Sequence, residues 1–394
     1  MFNFLMKIQK QAVSKIPKNW RLFHATDFYS LMYPCFTFCR ILGIFPYRIS
    51  DTTLKLSKPL FIVSTIVVYV CCIRVLIMIY EWNISSKLNI IDVPKILERS
   101  FYYGLTTFIT VVTFILNGPR MRLLQTITKI SSRLPKESYH KLSWLIHAKD
   151  IFGFFCVIVT SIVLYGKKDY DIFLMLCMIH IDLLVFQMDM MYVNCVYILK
   201  TGFKRINDNL LTLQKLMVND TAKPFGLINH KQKSSILLKK LNILQKQHLM
   251  VSDTVQMLNT IFSPQLVATI IINFGEITFC LYWCFAMQQK DMLQVNLGKD
   301  FFYENFIFYT LFFLGKTVLI VWTCENGKNE ASEISTTVHD VINCTSDKQI
   351  KNELQLFSLQ ISHCNNTFSA KGFSIDAKFL AGVSNLYLGI ICFN

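Results

Sequence analysis

The sequence predicts an all-α protein that crosses a membrane several times. Of its 394 residues, 53% are hydrophobic and only 16% are charged, and the mean hydropathy is +0.40. A soluble domain of this size needs far more charged surface. The apolar residues also gather into runs of membrane length, as transmembrane helices do. In such a chain the net charge of +15 does not indicate a nucleic-acid partner, because the placement of Lys and Arg relative to the spans matters more than their number.

Seven apolar runs are predicted to span the bilayer. In chain order they are residues 60–80, 101–116, 151–165, 172–199, 261–287, 301–324 and 379–393. A basic N-terminal arm, residues 1–56, precedes them. Its aromatic stretch, residues 28–46, is interpreted as a short helix at the membrane interface.

The basic residues alternate between the segments that join the spans. The arm to residue 56 holds eight Lys and Arg, and residues 200–260 hold ten, whereas loops 83–97, 166–171 and 288–300 are short and nearly balanced in charge. Positively charged loops stay on the cytoplasmic side. The pattern therefore predicts a cytoplasmic N-terminus and an extracellular C-terminus, the reverse of a G-protein-coupled receptor.

The long basic segments are themselves predicted to be helical. Apolar residues recur at helical spacing from Ile206 to Met217, again from Leu237, and from Ile334 to Ile361. We expect cytoplasmic extensions of spans four and five to bundle with the helix before span seven into an anchor layer between subunits; the alternative is solvated helices within one subunit. The expected units are an arm (1–56), spans one to four (57–200), an anchor extension (201–260), spans five and six (261–325), an anchor helix with an elbow (326–374) and a final span (375–394).

Ionisable and aromatic residues at similar depth in the outer halves of the spans form the candidate ligand site. Charged groups inside a membrane are costly and so indicate function, and aromatic faces with a few acceptors suit a small polar or amphipathic ligand. An aromatic belt with interhelical hydrogen bonds is the alternative. The candidates are Tyr102, Tyr103, His180, Asp182, Glu276, Trp283, Glu304 and Tyr309. Arg74 and Lys316 are interpreted as structural, since a long side chain can pair or reach the interface.

Small and polar residues interrupt the final apolar run. They are Gly382, Ser384, Asn385 and Gly389. Such positions suit either a water-facing stripe along a pore or close helix packing. The residues alone leave both possibilities open.

Several motifs resemble those of the insect gustatory receptor family, and the resemblance covers nearly the whole chain. They are Leu42-Gly43-Ile44-Phe45-Pro46, the segment Phe203–Leu210, the segment Leu258–Gln265, Phe357-Ser358-Leu359-Gln360 and the segment Phe368–Phe373. The family ends on Thr-Tyr, five apolar residues and Gln-Phe. This chain has Leu386-Tyr387, an apolar block and then Phe393-Asn394, so the tyrosine matches and the glutamine does not.

The resemblance implies a gustatory receptor that is itself a ligand-gated, non-selective cation channel in the plasma membrane of sensory neurons. Its expected partners are a small-molecule tastant, permeating cations, membrane lipid and related subunits in a homo- or heterotetramer. One final helix from each subunit lines the central pore in this family. The pore-lining positions here are then Ser384, Tyr387, Leu388, Ile391, Cys392, Phe393 and Asn394.

Other function classes fit less well. A transporter predicts paired, broken spans in two repeated halves, which the sequence lacks. An enzyme would need catalytic partners at one depth, but His180 and Asp182 are two residues apart and face different sides of a helix. No metal-ligand spacing is present, so we expect no enzyme activity, metal or cofactor. A receptor subunit that needs a partner, or does not conduct, remains the alternative because of the changed C-terminal motif.

Overall fold

The computed structural model of the chain describes residues 22–50, 53–84, 93–165, 171–221, 227–291, 299–370 and 372–392. Helices account for most of this part, as the sequence predicts. They are α1 (Phe28–Leu31), α2 (Tyr33–Ile41), α3 (Lys58–Ile84), α4 (Val93–Ile115), α5 (Asn117–Ser131), α6 (Lys136–Tyr165), α7 (Ile172–Thr221), α8 (Leu227–Asp291), α9 (Lys299–Cys344), α10 (Lys348–His363) and α11 (Ala377–Cys392). Two antiparallel hairpins join β1 (Tyr47–Ser50) to β2 (Thr53–Leu56) and β3 (Ser369–Ala370) to β4 (Phe373–Ser374).

The predicted spans coincide with long helices, namely α3, α4, α6, α7, α8, α9 and α11 in chain order. Four of these helices, α3, α6, α7 and α8, contain stretches long and apolar enough to cross a membrane. The α4–α5 pair qualifies as one unit, although the two helices are bent by 67°. The described residues thus provide four helices that are long and apolar enough to cross a membrane, or five if α4 and α5 form one broken span.

The bend between α4 and α5 was not predicted, and Pro119 explains it. Proline lacks the N–H that would extend the hydrogen-bond ladder of α4, but it is tolerated in the first turn of a new helix. The guanidinium of Arg120 instead donates a hydrogen bond to the carbonyl oxygen of Thr113 (3.2 Å). Arg120 is only 2% exposed. A buried charged side chain therefore satisfies a carbonyl near the break.

Helix α7 is the centre of the bundle. Every residue from 183 to 199 is buried, because α3, α4, α6, α8 and α9 all pack against this helix. A helix that is apolar on all sides requires such an environment. The few polar side chains of α7 consequently lie inside the bundle, where they need partners from neighbouring helices.

The aromatic stretch of the N-terminal arm folds into the bundle. It forms α1 and α2, which pack against α6, and α2 also packs against α7. Leu31, Cys35, Phe36 and Cys39 are at most 1% exposed. The structure therefore places one face of this segment in the protein core, where the sequence suggested contact with the membrane interface.

Helices α7 and α8 continue far beyond a bilayer. The 65 residues of α8 span roughly 100 Å, about three times the hydrocarbon thickness. Along the first part of α8, α10 packs against α8 and α9 and buries Leu354 and Phe357. Gln360 of α10 donates a hydrogen bond to the carbonyl of Gln245 (3.0 Å) and contacts the ring of His248 (3.3 Å). Two residues of one family-like motif, Phe357 and Gln360, thus join α10 to α8.

The segment between α10 and α11, residues 364–376, is called the elbow below. Asn259 of α8 holds it through main-chain atoms: its amide nitrogen donates to the carbonyl of Thr367 (2.8 Å), and its oxygen accepts from the N–H of Ser369 (3.2 Å). Phe368 is buried against Gly327 of α9, where an added Cβ would lie 2.6 Å from the ring. The elbow is therefore fixed to both α8 and α9.

Candidate functional site

Asp182 of α7 is the centre of a hydroxyl cluster contributed by three helices. Tyr102 of α4 donates a hydrogen bond to Oδ1 (2.9 Å), and Tyr165 (2.8 Å) and Ser161 (3.2 Å) of α6 donate to Oδ2. Tyr103 extends the cluster through its contact with the hydroxyl of Tyr165 (2.7 Å). Hydrogen bonds of this kind stabilise the charged form of a carboxylate in a poorly hydrated environment.

Glu276 of α8 interacts electrostatically with this cluster. Its side chain is 7% exposed, and its charged neighbours are Glu98, Asp182 and Lys316. Among the described residues, no hydrogen-bond partner reaches its Oε1 atom. Trp283, two turns further along α8, donates its indole N–H to Oε2 of Glu98 (2.8 Å). Helices α4, α7 and α8 thus place three carboxyl groups beside aromatic side chains.

The structure brings together most of the predicted ligand-site residues. Tyr102, Tyr103 and Asp182 share one hydrogen-bond network, and Glu276 is its electrostatic neighbour. His180 is separate: its ring nitrogen contacts the carbonyl of Leu42 (2.9 Å) and ties α7 to the N-terminal arm. The side chains of Glu304 and Tyr309, on α9, lie outside the described residues.

Sequence reasoning missed three members of this site, Glu98, Ser161 and Tyr165. A signal was present in their spacing. Glu98 lies four residues before Tyr102, and Ser161 lies four residues before Tyr165, so each pair shares a helix face. Polar residues four positions apart, within the spans and in the residues just outside them, therefore mark this site in the sequence.

A second polar cluster lies deeper along α7, around Asp189. Its Oδ1 accepts hydrogen bonds from Gln265 (3.1 Å) and Thr269 (2.9 Å) of α8, and its Oδ2 lies 3.2 Å from the ammonium of Lys316 of α9. The side chains of Asp189 and Lys316 are 0% and 5% exposed. Lys316 thus pairs with Asp189 inside the bundle and does not need to reach the membrane interface, in agreement with its interpretation as structural.

The final helix, α11, begins with an N-terminal cap. Asp376 accepts hydrogen bonds from the N–H of Phe379 (3.1 Å) and the hydroxyl of Ser374 (3.0 Å). The bond from the Phe379 N–H is the main cause that lowers the pKa of the Asp376 carboxyl. Phe379 and Leu380 pack against the core. Beyond them, Gly382, Ser384 and Asn385 are exposed in the single chain.

The other predicted pore positions fall outside the side chains that the structure describes. The side chains of Tyr387, Leu388, Ile391 and Cys392 lie outside the described residues, as do Phe393 and Asn394 altogether. Of the seven predicted pore residues, Ser384 is therefore the one whose side-chain exposure the structure describes.

A family model for the 7tm chemosensory receptors matches residues 32–383. The chain belongs to this family. Over 149 residues it is 28% identical to a protein named as a candidate gustatory receptor, 28a of Drosophila melanogaster, and over 203 residues it is 26% identical to candidate receptor 28b of the same organism. These alignments cover 36% and 48% of this chain but only 33% and 40% of the two relatives. The resemblance to gustatory receptors is confirmed.

Solved structures show the same fold. The insect olfactory receptor OR5 from Machilis hrabei superposes with a TM-score of 0.69 at 10% identity, covering 92% of this chain and 96% of that one. The structure of OR5 in complex with eugenol gives 0.64 at 11% identity, with 91% and 95% covered. The family consists of chemosensory receptors, which confirms the prediction that the chain is not an enzyme.

Proposed function

We propose that the chain is a gustatory receptor that is itself a ligand-gated, non-selective cation channel, opened by a small-molecule tastant. The carrying observation is the hydroxyl and carboxyl cluster formed by Asp182, Glu276 and their neighbours in a fold shared with OR5 over most of the chain. The tastant binds among α4, α6, α7 and α8, in the half of the bundle that faces outside. The related OR5 has been solved with the small molecule eugenol.

The pore belongs to α11. Exposed small and polar residues on a membrane helix are unfavourable against lipid, but they suit a water-filled pathway or a helix partner. Gly382, Ser384 and Asn385 are exposed in the single chain. Assembly into a homo- or heterotetramer places these faces around one axis and leaves the apolar residues of the outer helices in contact with lipid.

The topology that accompanies this proposal has seven spans, a cytoplasmic N-terminus and an extracellular C-terminus. The long parts of α7 and α8 and the whole of α10 then form the cytoplasmic anchor layer. Residues Leu356 and Leu359 on α10 are each 57% exposed, which is consistent with an intersubunit contact in that layer. The receptor resides in the plasma membrane of sensory neurons.

Gating follows from the contacts between the site and the final helix. A ligand that bridges α7 and α8 stabilises one relative position of the two helices over another. Asn259 on α8 is hydrogen-bonded to the elbow, and Phe368 of the elbow packs against α9. A displacement of α8 therefore moves the elbow and, with it, the start of α11.

A subunit that requires a partner receptor is the second candidate function. The changed residues at the end of the chain, Phe393-Asn394, favour it. Such a subunit keeps the ligand site and the fold but supplies only part of a conducting pore.

Whole-cell current from cells that express this chain alone tests the proposal. Under blocked G-protein signalling, we expect a tastant panel to include compounds that evoke a rapid cation current, and Tyr387→Ala or Phe393→Gln to change its amplitude or selectivity. Silence despite surface expression, reversed by co-expression of a related receptor, supports the partner-dependent subunit. A current that disappears only when G proteins are blocked contradicts the channel.

A further inference from the structure

We infer that the site between α4, α7 and α8 selects ligands that carry a positive charge, such as a protonated amine or a quaternary ammonium group. This inference rests on the proposed function, in that the same site binds the tastant, and it adds the chemical class of that tastant. Four features of the site support it: an unpartnered carboxyl oxygen, a second carboxylate nearby, the placement of the surrounding cations, and aromatic faces.

The unpartnered oxygen belongs to Glu276. This side chain is more than nine-tenths buried, and no hydrogen-bond donor among the described residues reaches its Oε1. Leaving a buried carboxyl oxygen without a partner is costly, more so for a carboxylate. Its charge interacts with those of Glu98 and Asp182, and it also acts on the hydroxyl of Tyr102.

The second carboxylate, Asp182, is half-buried and already holds three hydroxyl donors. Those donors are neutral, so they orient the carboxylate without cancelling its charge. Two carboxyl groups at close quarters in a poorly hydrated interior repel each other when both are ionised. A cation between them removes this repulsion and supplies Glu276 with its missing partner.

The cation that acts electrostatically on both carboxyl groups, Lys316, is paired with another acid. Lys316 lies 3.2 Å from Asp189, in the deeper cluster. Within the described ranges, no lysine or arginine forms an ion pair with Asp182 or Glu276. The contrast with Asp189 is informative, because there α9 supplies a lysine to a buried carboxylate of α7.

The aromatic side chains complete the argument. Tyr102 is hydrogen-bonded to Asp182, and Trp283 to Glu98; both side chains are half-buried, so each is in part accessible. Tyr282 packs edge-on against Trp283 with ring centroids 5.3 Å apart. Aromatic faces next to carboxylates bind ammonium groups through cation–π attraction, which is strongest for tryptophan. An organic cation thus matches both the charge and the apolar surface.

The test compares matched pairs of probes on the purified full-length chain in nanodiscs. The charged probes are choline and benzyltrimethylammonium. Their uncharged isosteres are dimethylbutanol, with a tert-butyl group in place of trimethylammonium, and neopentylbenzene. Binding is measured as the concentration-dependent rise in the unfolding midpoint, because a ligand that binds the folded state stabilises it by mass action.

We expect each cation to bind on the order of tenfold to hundredfold more tightly than its isostere, the range of one charge-assisted contact. Glu276→Gln, which keeps the shape and removes the charge, should bring the preference close to unity. Glu333→Gln, on an exposed position of α9 remote from the cluster, is the matched control and should retain it. Asp182→Asn provides a second site variant if Glu276→Gln does not fold.

Equal binding of cations and isosteres overturns the inference, as does the absence of cation binding. An unchanged preference in both Glu276→Gln and Asp182→Asn also overturns it, because the cations then bind elsewhere, for example in the pore. Whole-cell current separates this result from the channel proposal. Cation binding without current retains the site and rejects the homomeric channel, whereas current evoked only by neutral compounds retains the channel and rejects the cationic ligand.

Discussion

The two polar clusters along α7 differ in how their carboxylates are compensated. Around Asp189, a fully buried carboxylate accepts two hydrogen bonds at Oδ1, and the ammonium of Lys316 lies 3.2 Å from Oδ2, which accepts no hydrogen bond among the described residues. Around Asp182 and Glu276, the donors are neutral hydroxyls, several side chains are half-buried, and one carboxyl oxygen has no partner among the described residues. The first carboxylate is paired with a cation of the same chain, whereas neither Asp182 nor Glu276 forms an ion pair with a described lysine or arginine.

This difference shows how acidic residues that stabilise a membrane protein can be told apart from those that could contact a ligand. Acids inside spans look alike in a sequence, because each carries the same cost of desolvation. They differ in whether a neighbouring helix provides a lysine or arginine that pairs with the acid. Asp189 pairs with Lys316 and stabilises the bundle. Glu276 does not, and it is therefore the better candidate for ligand contact.

The largest expected effect comes from Lys316→Met. The change leaves the charge of Asp189 buried and uncompensated, which destabilises by about 3–5 kcal/mol. Thermal unfolding of the detergent-solubilised protein and its yield at the cell surface measure this. Asp189→Asn in the same chain should recover part of the loss.

Lys328→Met is the matched control for Lys316→Met. Lys328 is 38% exposed and lies 3.8 Å from each of Glu325 and Asp376, so its loss should cost no more than about 1 kcal/mol. Equal destabilisation by the two lysine variants would contradict the assignment of Asp189 and Lys316 as the structural pair.

A pair of single hydrogen-bond deletions sharpens the comparison. Thr269→Val removes a donor from the closed Asp189 cluster and should cost about 1.5–3 kcal/mol, the range for bonds to charged groups. Tyr165→Phe removes a donor from the half-buried Asp182, where water can replace it, and should cost about 0.5–1.5 kcal/mol. Chemical or thermal unfolding gives both values, and a reversed order would indicate that Asp182 is the better shielded carboxylate.

Gly275→Ala is expected to disturb the wall of the open cluster. An added Cβ would lie 2.3 Å from Cε1 and 2.9 Å from Cζ of Phe101, so either the ring of Phe101 must turn away or α4 and α8 must separate, at a cost of about 1–3 kcal/mol. Gly104→Ala, with nothing within 4 Å of the new Cβ, is the control and should be neutral or slightly stabilising. Ligand affinity should fall only in Gly275→Ala.

The smallest effect concerns Asp376, a carboxylate outside both clusters. Asp376→Ala removes the cap of α11 and should cost about 1 kcal/mol. Since the pKa of Asp376 is lowered from its ordinary value of 3.8, its charged form stabilises the folded state above that pH. This contribution should disappear as the pH falls through the lowered pKa.

The comparison of wild type with Asp376→Asn isolates the charge, because asparagine also caps helices. The difference in unfolding midpoint between these two proteins should be constant near neutral pH and shrink below pH 3.8. A difference that grows on acidification would mean that Asp376 is stabilised in its protonated form.

Hydropathy predicted the helices of this fold, and local chemistry explains what it missed. The positions of α3, α7 and α8 follow from runs of apolar residues, which depend on composition alone. The bend at Pro119 depends on whether a proline begins a new helix or kinks an existing one. The burial of α2 depends on tertiary contacts with α6 and α7 that no periodicity reveals.

The candidate site was predicted in its residue types but not in its pairings. Tyr102, Asp182 and Glu276 were identifiable as polar groups in apolar spans. The contacts that these residues make were not identifiable. Tyr165 lies on α6 and Glu98 on α4, and the rotation of each helix about its own axis is set by packing. The same uncertainty left the partner of Lys316 open, because its long side chain is equally able to reach an interface or a buried acid.

The attachment of the elbow has a consequence for how this part of the chain can evolve. Asn259 binds the carbonyl of Thr367 and the N–H of Ser369, and every residue type except proline offers those two atoms. The hydrogen bonds therefore place almost no demand on side-chain identity at either position. Sequence change in the elbow is limited mainly by Phe368, which fills the space beside Gly327. A connection between α8 and the start of α11 can thus persist while its own sequence drifts.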